Sequence, residues 1–190
     1  MTALTARRGL ILLAGTSESG KSTAGIHLTQ RGAQRIKIRT ILLALTSGTE
    51  VRHEGVSTRE GFDTDEFLSA LHEHARTGAA DMAVVESFID AELANATKAS
   101  WPGPAAIVFI TAAEPVRVNR LAVAINIDQT AAHALVKAKD ARKRVNEQLP
   151  RWQQIADHWI DNRHDLAHFT ATLDDVYAAT CPSITRTEHS

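Results

Sequence analysis

Short apolar runs recur along the chain, and each run is bounded by turn residues or by charged residues. These runs cover residues 10–14, 35–38, 82–85, 105–110 and 158–160. Segments with helical spacing fill the intervals, and this alternation predicts an α/β protein with a parallel sheet. Because the runs are continuously apolar, the predicted strands require cover from helices on both faces. We therefore expect a buried sheet between two helical layers.

The helices between the strands are indicated by their caps and by apolar residues at three- and four-residue steps. One helix is predicted to begin after Asp165 and to carry one apolar stripe that faces the core, and another is predicted from a cap at Asp65 to a closing Gly78. Residues 130–149 predict a long helix with many charges, which Pro150 separates from the last strand and helix. No stretch between these elements has the composition of a domain linker.

The overall composition is that of an ordinary soluble globular chain. Of the 190 residues, 44% are hydrophobic and 23% are charged, and 21 basic side chains balance 22 acidic ones to give a net charge of -1. We expect a single domain over residues 1–181 and a disordered tail over residues 182–190. The net charge near zero and the 5% aromatic content argue against a nucleic-acid partner. No apolar run approaches the roughly 20 residues that span a bilayer, so no membrane partner is expected.

The cysteine content bears on the cellular compartment. Cys181 is the one cysteine of the sequence, so the chain cannot form an intramolecular disulfide. A reducing compartment suits such a chain, and the cytoplasm is therefore the expected location.

A glycine-rich segment follows the first predicted strand directly and has the spacing Gly, four residues, Gly-Lys-Ser/Thr. It consists of Gly15, Thr16, Ser17, Glu18, Ser19, Gly20, Lys21, Ser22 and Thr23. In this Walker A pattern the glycines let the backbone curl so that N–H groups point at a phosphate, and the next helix directs its positive dipole end there. Lys21 is expected to bridge the β- and γ-phosphates of ATP, and Ser22 to bind the accompanying Mg²⁺ ion.

A carboxylate follows another predicted strand. Glu86 comes after the apolar run at residues 82–85 and should lie at the carboxyl end of that strand, the edge where open α/β sheets bind ligands. At this edge it can hold a Mg²⁺-bound water, accept the proton of an attacking hydroxyl, or do both. The alternative is a carboxylate that only caps the end of the strand.

Together these features resemble the P-loop nucleoside and nucleotide kinase family, with the dephospho-CoA kinase-like and adenylate kinase-like proteins as the nearest branch. The resemblance rests on the loop that opens at Gly15, on Val84-Val85-Glu86, and on residues 114–120 and 156–162. It implies a three-layer α/β/α P-loop NTPase fold with a five-stranded parallel sheet. It also implies a substrate-binding segment at about residues 39–78 and a helical lid at about residues 124–149.

The resemblance assigns several arginines to the site. The family's Arg-x-x-Arg pair matches Arg117 and Arg120, of which Arg117 is expected at the nucleotide and Arg120 at the transferred phosphate. Arg39 and Arg59 lie in the segment that would bind the acceptor, and both suit an anionic acceptor. Family members often carry Asp at the position of Glu86 and follow it with Arg, so the acceptor's identity stays open.

Basic residues concentrate in the predicted lid. They are Lys137, Lys139, Arg142, Lys143 and Arg144. Because phosphoryl transfer spreads negative charge over oxygens that fixed cations stabilise, Lys139 and Arg142 are candidate substrate-binding residues. The alternative is a solvated helix face on which Asp140 and Glu147 pair with the basic residues.

These inferences lead to one expected function, the Mg²⁺-dependent transfer of the γ-phosphate of ATP to a nucleoside, a nucleotide or a related hydroxyl-bearing metabolite. Lys21, Glu86 and Arg120 are the expected catalytic residues, and Ser22 and Glu86 are the expected metal holders. The alternative is a nucleotide-dependent switch or NTPase that acts through a protein partner. Self-association into a homodimer is compatible with either function.

Overall fold

The computed structural model describes residues 8–45, 63–163 and 165–182, and strands alternate with helices along these ranges. The strands are β1 (Gly9–Gly15), β2 (Gln34–Lys37), β3 (Met82–Phe88), β4 (Ala105–Thr111) and β5 (His158–Asp161). The helices are α1 (Lys21–Gln30), α2 (Ile38–Leu45), α3 (Thr64–Arg76), α4 (Ala91–Ser100), α5 (Glu114–Ile125), α6 (Gln129–Arg142), α7 (Val145–Ile155) and α8 (Leu166–Thr180). A strand is present at each of the predicted apolar runs.

The strands form one parallel sheet in the order β2-β3-β1-β4-β5. β1 lies at the centre and pairs with β3 on one side and with β4 on the other. The strand order therefore reverses beside β1, and open α/β sheets bind ligands in the crevice at the carboxyl ends of the strands at such a point. The carboxyl end of β1 is Gly15, the first residue of the glycine-rich loop.

Alternate residues of β1 face opposite helical layers. Leu10 and Leu12 belong to a buried cluster that includes residues of α2, α3, α4 and α7. Ile11 and Leu13 belong to a second buried cluster, formed with residues of α1 and α8. Because helices cover both faces, both sets of strand residues are apolar, and the predicted three-layer α/β/α architecture is confirmed.

The helix caps agree with the sequence prediction at one helix and differ at another. Asp63 caps α3, because its side chain accepts a hydrogen bond from the amide of Asp65, so the predicted cap at Asp65 was wrong. Asp65 lies in the first turn, where the positive end of the helix dipole stabilises a carboxylate. The predicted cap of α8 is confirmed, since Asp165 accepts a hydrogen bond from the amide of His168.

The long charged helix predicted over residues 130–149 is divided into α6 and α7. Arg144 has a φ of 51°, a left-handed conformation that interrupts the helix between the two elements. The sequence predicted that Pro150 separates the charged helix from the last strand. This prediction was wrong, because Pro150 lies inside α7. Beyond the proline, Trp152 is only 3% exposed and packs in the main core, which holds α7 together past this position.

Parts of the predicted organisation lie outside the described residues, namely residues 46–62 of the predicted substrate-binding segment and residues 183–190 of the predicted tail. Among the helices that are described, none has the length and apolar character needed to cross a bilayer.

Candidate functional site

The glycine-rich loop connects β1 to α1 and has a backbone that only certain residues tolerate. Gly15 and Gly20 have φ values of 138° and 109°, and Glu18 between them has a φ of 58°. A Cβ atom at Gly15 would lie 1.9 Å from the carbonyl oxygen of Ile110 in β4, so the neighbouring strand excludes any side chain there. The two glycines of the motif are therefore required by this curled backbone, as the sequence predicted.

Two side chains from other elements hold the back of the loop. The amide of Asn162, directly after β5, donates a hydrogen bond of 2.8 Å to the carbonyl oxygen of Ser19. Arg120 of α5 donates to the same oxygen at 3.4 Å and to the carbonyl oxygen of Asn162 at 3.0 Å. Arg120 therefore lies at the loop, as expected, but its guanidinium binds main-chain carbonyls in the ligand-free protein. The supporting role of Asn162 was not predicted.

Lys21 lies at the start of α1, where the motif predicts it, and its side chain is folded onto the loop. The Nζ atom donates to the carbonyl oxygens of Thr16 and, at 3.0 Å, of Gly15. Burial, assisted by the nearby Lys143 ammonium, lowers the pKa of Lys21 from 10.5 to about 7. A bound polyanion would reverse this shift, because an opposite charge nearby favours the protonated lysine.

The first turn of α1 also presents the hydroxyl groups predicted for the metal and the nucleotide. Ser22 and Thr23 are exposed there, next to the buried Lys21. Ser22 thus has a free approach from solvent, while the lysine beside it faces the loop.

Glu86 lies near the carboxyl end of β3, as predicted, and is only 2% exposed. Its Oε1 atom accepts a hydrogen bond of 2.6 Å from Nε of Arg35 in β2 and lies 2.6 Å from a terminal nitrogen of the same guanidinium, in an ion pair. Its Oε2 atom is buried without a hydrogen-bond partner among the described residues and faces α1 at Gly25. One carboxylate oxygen of Glu86 is therefore paired with Arg35, and its role at the site stays a prediction. Arg35 was not among the predicted site residues.

The helix α6, in the predicted lid, lies directly on the loop. Asp140 accepts a hydrogen bond of 2.9 Å from the backbone amide of Ser17 through Oδ1, and Arg117 donates to Oδ2 at 2.6 Å. Arg117 is buried and also donates to the carbonyl oxygens of Ser17 and Ala112. Burial opposes ionisation of Asp140, but the hydrogen bonds from Ser17 and Arg117 outweigh it and hold the pKa of this carboxyl below its usual value.

Two lysines of α6 and the following turn also contact the loop. Lys139 forms an ion pair of 2.7 Å with Glu18, and Lys143 donates to the hydroxyl of Ser17 at 3.2 Å. One face of this basic segment therefore covers the loop, whereas Arg142 is exposed. The alternative of a wholly solvated helix is thus excluded for Lys139 and Lys143.

The remaining predicted residues are distributed as follows. Arg39 is exposed on the first turn of α2, and Arg59 lies outside the described residues. Lys37, which was not predicted, is exposed at the end of β2 and is paired in register with Glu86. The carboxyl edge of the sheet therefore has Lys37 and Arg39 on the β2 side and the basic face of α6 above the loop.

Comparisons with solved structures find the same fold in proteins of very different sequence. An uncharacterized protein from Eubacterium ventriosum ATCC 27560 aligns with a TM-score of 0.65 and 11% identity over 90% of this chain and 99% of that one. A gluconokinase from Sinorhizobium meliloti 1021 aligns with a TM-score of 0.58 and 19% identity over 96% and 99% of the two chains. A shikimate kinase from Bacteroides thetaiotaomicron aligns with a TM-score of 0.55 and 16% identity over 90% and 97%.

The sequence matches no protein-family model and no curated protein. At identities of 11–19% the structural likeness establishes the fold, which is the three-layer α/β/α fold of these kinases. The predicted dephospho-CoA kinase-like or adenylate kinase-like branch stays a prediction.

Proposed function

We propose that the protein transfers the γ-phosphate of ATP to a small hydroxyl-bearing molecule. The observation that carries this proposal is the loop at the end of β1, whose two required glycines curl the backbone around the buried ammonium of Lys21. A lysine that burial deprives of solvent and that has only neutral oxygen partners is suited to bind a phosphate group. The gluconokinase and the shikimate kinase share the fold and are phosphotransferases by name, which supports the same class of reaction.

The nucleotide would bind with its phosphates in the loop. The N–H groups around Gly20 and the positive end of α1 offer hydrogen bonds to phosphate oxygens, and the backbone amide of Ser17 already donates to an anionic oxygen, that of Asp140. Lys21 would bind the β- and γ-phosphates. Arg117 and Arg120, which lie against the loop from α5, would add positive charge where the phosphate is transferred.

The residues at the start of α1 fit a magnesium ion. Ser22 presents an exposed hydroxyl, and Glu86 has an unpaired buried oxygen that faces the same helix one turn later, at Gly25. Hydroxyl and carboxylate oxygens are ligands that Mg²⁺ prefers, directly or through water. When bound, Mg²⁺ would neutralise charge on the phosphate oxygens. Ser22 and Glu86 are therefore the residues that would hold it.

Arg35 leaves Glu86 with one oxygen for chemistry. Because the hydrogen bond and the ion pair of Arg35 both end on Oε1, Oε2 is left to accept a proton from the acceptor hydroxyl or to hold a metal-bound water. We assign Arg35 the role of fixing this orientation. Removal of the Arg35 side chain would leave a buried carboxylate without its charge partner, which would lower the free energy of unfolding.

The acceptor in this proposal is a nucleoside, a nucleotide or a related hydroxyl-bearing metabolite that carries a negative group. Lys37 and Arg39 are exposed beside Glu86 at the carboxyl edge of the sheet, where such a group would bind. Lys139 and Arg142 of α6 would face the phosphates from the opposite side. The shikimate kinase and the gluconokinase are named after small-molecule acceptors, which is consistent with this class.

The test is the release of ADP from Mg²⁺-ATP with a panel of candidate acceptors. The panel contains nucleosides, nucleoside monophosphates, dephospho-CoA, sugar acids, cyclitol acids and hydroxy acids. Each compound is assayed with the wild type, with Lys21→Ala and with Lys137→Ala, which replaces an exposed lysine and serves as the control. Stimulation by one class that disappears in Lys21→Ala and persists in Lys137→Ala supports the proposal. Phosphoryl transfer that survives Lys21→Ala contradicts it.

The alternative function, a nucleotide-dependent switch, is favoured by a single observation. Asp140 of the predicted lid accepts a hydrogen bond from the Ser17 amide of the loop, so a phosphate bound at Ser17 would displace this contact of the lid. A switch would bind ATP or GTP without stimulation by any compound of the panel and would turn over faster only with a protein partner. The same assay therefore separates the two functions.

A further inference from the structure

A side chain of the protein itself takes one hydrogen-bond donor of the loop. Asp140 offers anionic oxygens to the Ser17 amide at 2.9 Å and to the Arg117 guanidinium at 2.6 Å. A backbone N–H of the loop and a guanidinium are the donors that a phosphate oxygen would also take. Because one N–H group can serve only one such acceptor well, Asp140 and a phosphate oxygen exclude each other at Ser17.

The helix that carries Asp140 is packed independently of the main core. Its buried residues Ala132 and Val136 form a small cluster with Val118, Leu121 and Ala122 of α5, separate from the two clusters that enclose the sheet. A small apolar contact makes α6 one of the elements that opens at low free-energy cost. The helix α7, by contrast, is anchored through Trp152 in the main core.

Both ends of α6 are marked by residues in the left-handed conformation. Asn126 before the helix has a φ of 54°, and Arg144 after it has a φ of 51°. Few non-glycine residues adopt this conformation, and residues at element ends that absorb changes of φ and ψ are where hinges form. We take these two positions, at the end of α5 and the start of α7, as the hinges in the proposal below.

We propose that Asp140 is a built-in competitor of phosphate, which holds α6 on the loop and must leave before a nucleotide phosphate can bind at Ser17. The inference rests on the proposed function, since it assumes that the loop binds nucleotide. Lys143 lies three residues after Asp140 and four after Lys139, and both lysines contact the loop from the same segment. Once Asp140 withdraws, this segment and Arg117 face the loop with positive charge only.

The binding test compares two variants that each remove one negative charge from this region. Asp140→Asn keeps the shape of the side chain and removes the competing charge, whereas Glu147→Gln removes an exposed carboxylate of α7 that pairs with Arg144. Calorimetric titration with ADP at 0.15 M salt should give a Kd at least about tenfold lower for Asp140→Asn than for wild type. Glu147→Gln should leave the Kd unchanged. An unchanged or higher Kd in Asp140→Asn, or an equal decrease in both variants, contradicts the proposal.

A second measurement needs no nucleotide. Hydrogen exchange of the Ser17 amide should be slow in the free wild-type protein and at least about tenfold faster in Asp140→Ala, because the acceptor is lost. Equal exchange in the two proteins overturns the inference even if the wild type phosphorylates an acceptor. Fast exchange of the Ser17 amide in the wild-type protein also overturns the inference. This outcome needs no variant, so the test holds even if Asp140→Ala does not fold.

The two proposals fail in different ways. If ADP and ATP bind neither to wild type nor to Asp140→Asn while the Ser17 amide is protected by Asp140, the nucleotide function and the competition that depends on it are both overturned. If nucleotide binds and Lys21→Ala abolishes phosphoryl transfer, but Asp140→Asn binds ADP no more tightly, only the inference about Asp140 is overturned.

Discussion

Gly25 lies directly against the carboxylate of Glu86. A Cβ atom at position 25 would be 2.9 Å from Oε2 of Glu86 and 3.0 Å from Nε of Arg35. The absence of a side chain in the second turn of α1 is therefore what lets the carboxylate and its arginine pack beneath the helix that begins with Lys21 and Ser22. A glycine inside a helix is otherwise unfavourable, by about 1 kcal/mol relative to alanine.

The first prediction is that Gly25→Ala lowers phosphoryl transfer by about tenfold to a hundredfold, because it displaces the Glu86 carboxylate by a fraction of an ångström to an ångström. The free energy of unfolding should change by less than about 2 kcal/mol, since the gain in helix propensity opposes the cost of overpacking. Steady-state kinetics across a range of Mg²⁺ concentrations and urea unfolding measure the two effects.

The control for Gly25→Ala is Ile26→Ala on the same helix. Ile26 is 49% exposed, so its truncation should leave both activity and Mg²⁺ dependence close to those of wild type. Full activity of Gly25→Ala with an unchanged Mg²⁺ dependence would show that the position of Glu86 does not matter for the reaction.

The second prediction concerns the stability of the ligand-free protein at alkaline pH. The pKa of Lys21 is lowered to about 7 from 10.5, chiefly by burial, so between these values the unfolded chain binds a proton that the folded chain lacks. The wild type should therefore gain stability as pH rises from 7 toward 10.5, and below pH 7, where both states are protonated, this contribution is constant. Lys21→Met abolishes it, so the stability advantage of the variant should shrink by roughly 3 kcal/mol between pH 7 and pH 9.5.

Urea unfolding of wild type and Lys21→Met at the two pH values checks this prediction. Lys137→Met, which replaces an exposed lysine of α6, is the matched control and should follow the wild type at both pH values. If the free energies of unfolding of Lys21→Met and wild type differ by the same amount at both pH values, Lys21 stays fully protonated in the folded protein.

The third prediction concerns the support of the loop by Asn162. Asn162→Ala removes a buried hydrogen bond to the carbonyl oxygen of Ser19 and should lower the free energy of unfolding by about 1–3 kcal/mol. Because the loop backbone is then less firmly held, the Kd for ATP should rise by about tenfold. Asn146→Ala, at an exposed position of α7, should change neither quantity. Calorimetry and urea unfolding test this, and an unaltered Kd would mean that the other contacts of the loop, including that of Arg120 with Ser19, suffice to hold it.

The fourth prediction compares two glycines with positive φ. Gly32 has a φ of 99°, and a Cβ atom there would meet only the Tyr177 hydroxyl at an ordinary contact distance of 4.0 Å, so Gly32→Ala should cost only the conformational strain of about 1–2 kcal/mol. Gly15 has a φ of 138° and a backbone oxygen 1.9 Å from the position of the missing Cβ. Gly15→Ala should therefore cost about 3–5 kcal/mol, because overpacking adds to the strain. Equal costs in thermal or urea unfolding would contradict the close approach of β4 to the loop.

Local pattern was sufficient to predict the elements that carry the phosphate loop. The apolar run of β1, the glycine spacing after it and the start of α1 at Lys21 are properties of adjacent residues, and the structure has all three in the predicted order. The cap at Asp165 was predictable for the same reason. The division of the charged segment at Arg144 was not, because an arginine in the left-handed conformation has no sequence signature.

The partners of the charged residues were decided only by the tertiary structure. Glu86 and Arg35 are 51 positions apart in the sequence, and Asp140 and Ser17 are 123 positions apart. Periodicity and motif spacing determine which segments are buried and where a loop must curl, but they carry no information about which side chain of a distant element reaches it. The order of the strands brings Arg35 next to Glu86, and the packing of α6 on α5 brings Asp140 to the loop. The sequence by itself thus determined the fold and the phosphate loop, whereas the tertiary structure alone decided which charges meet there.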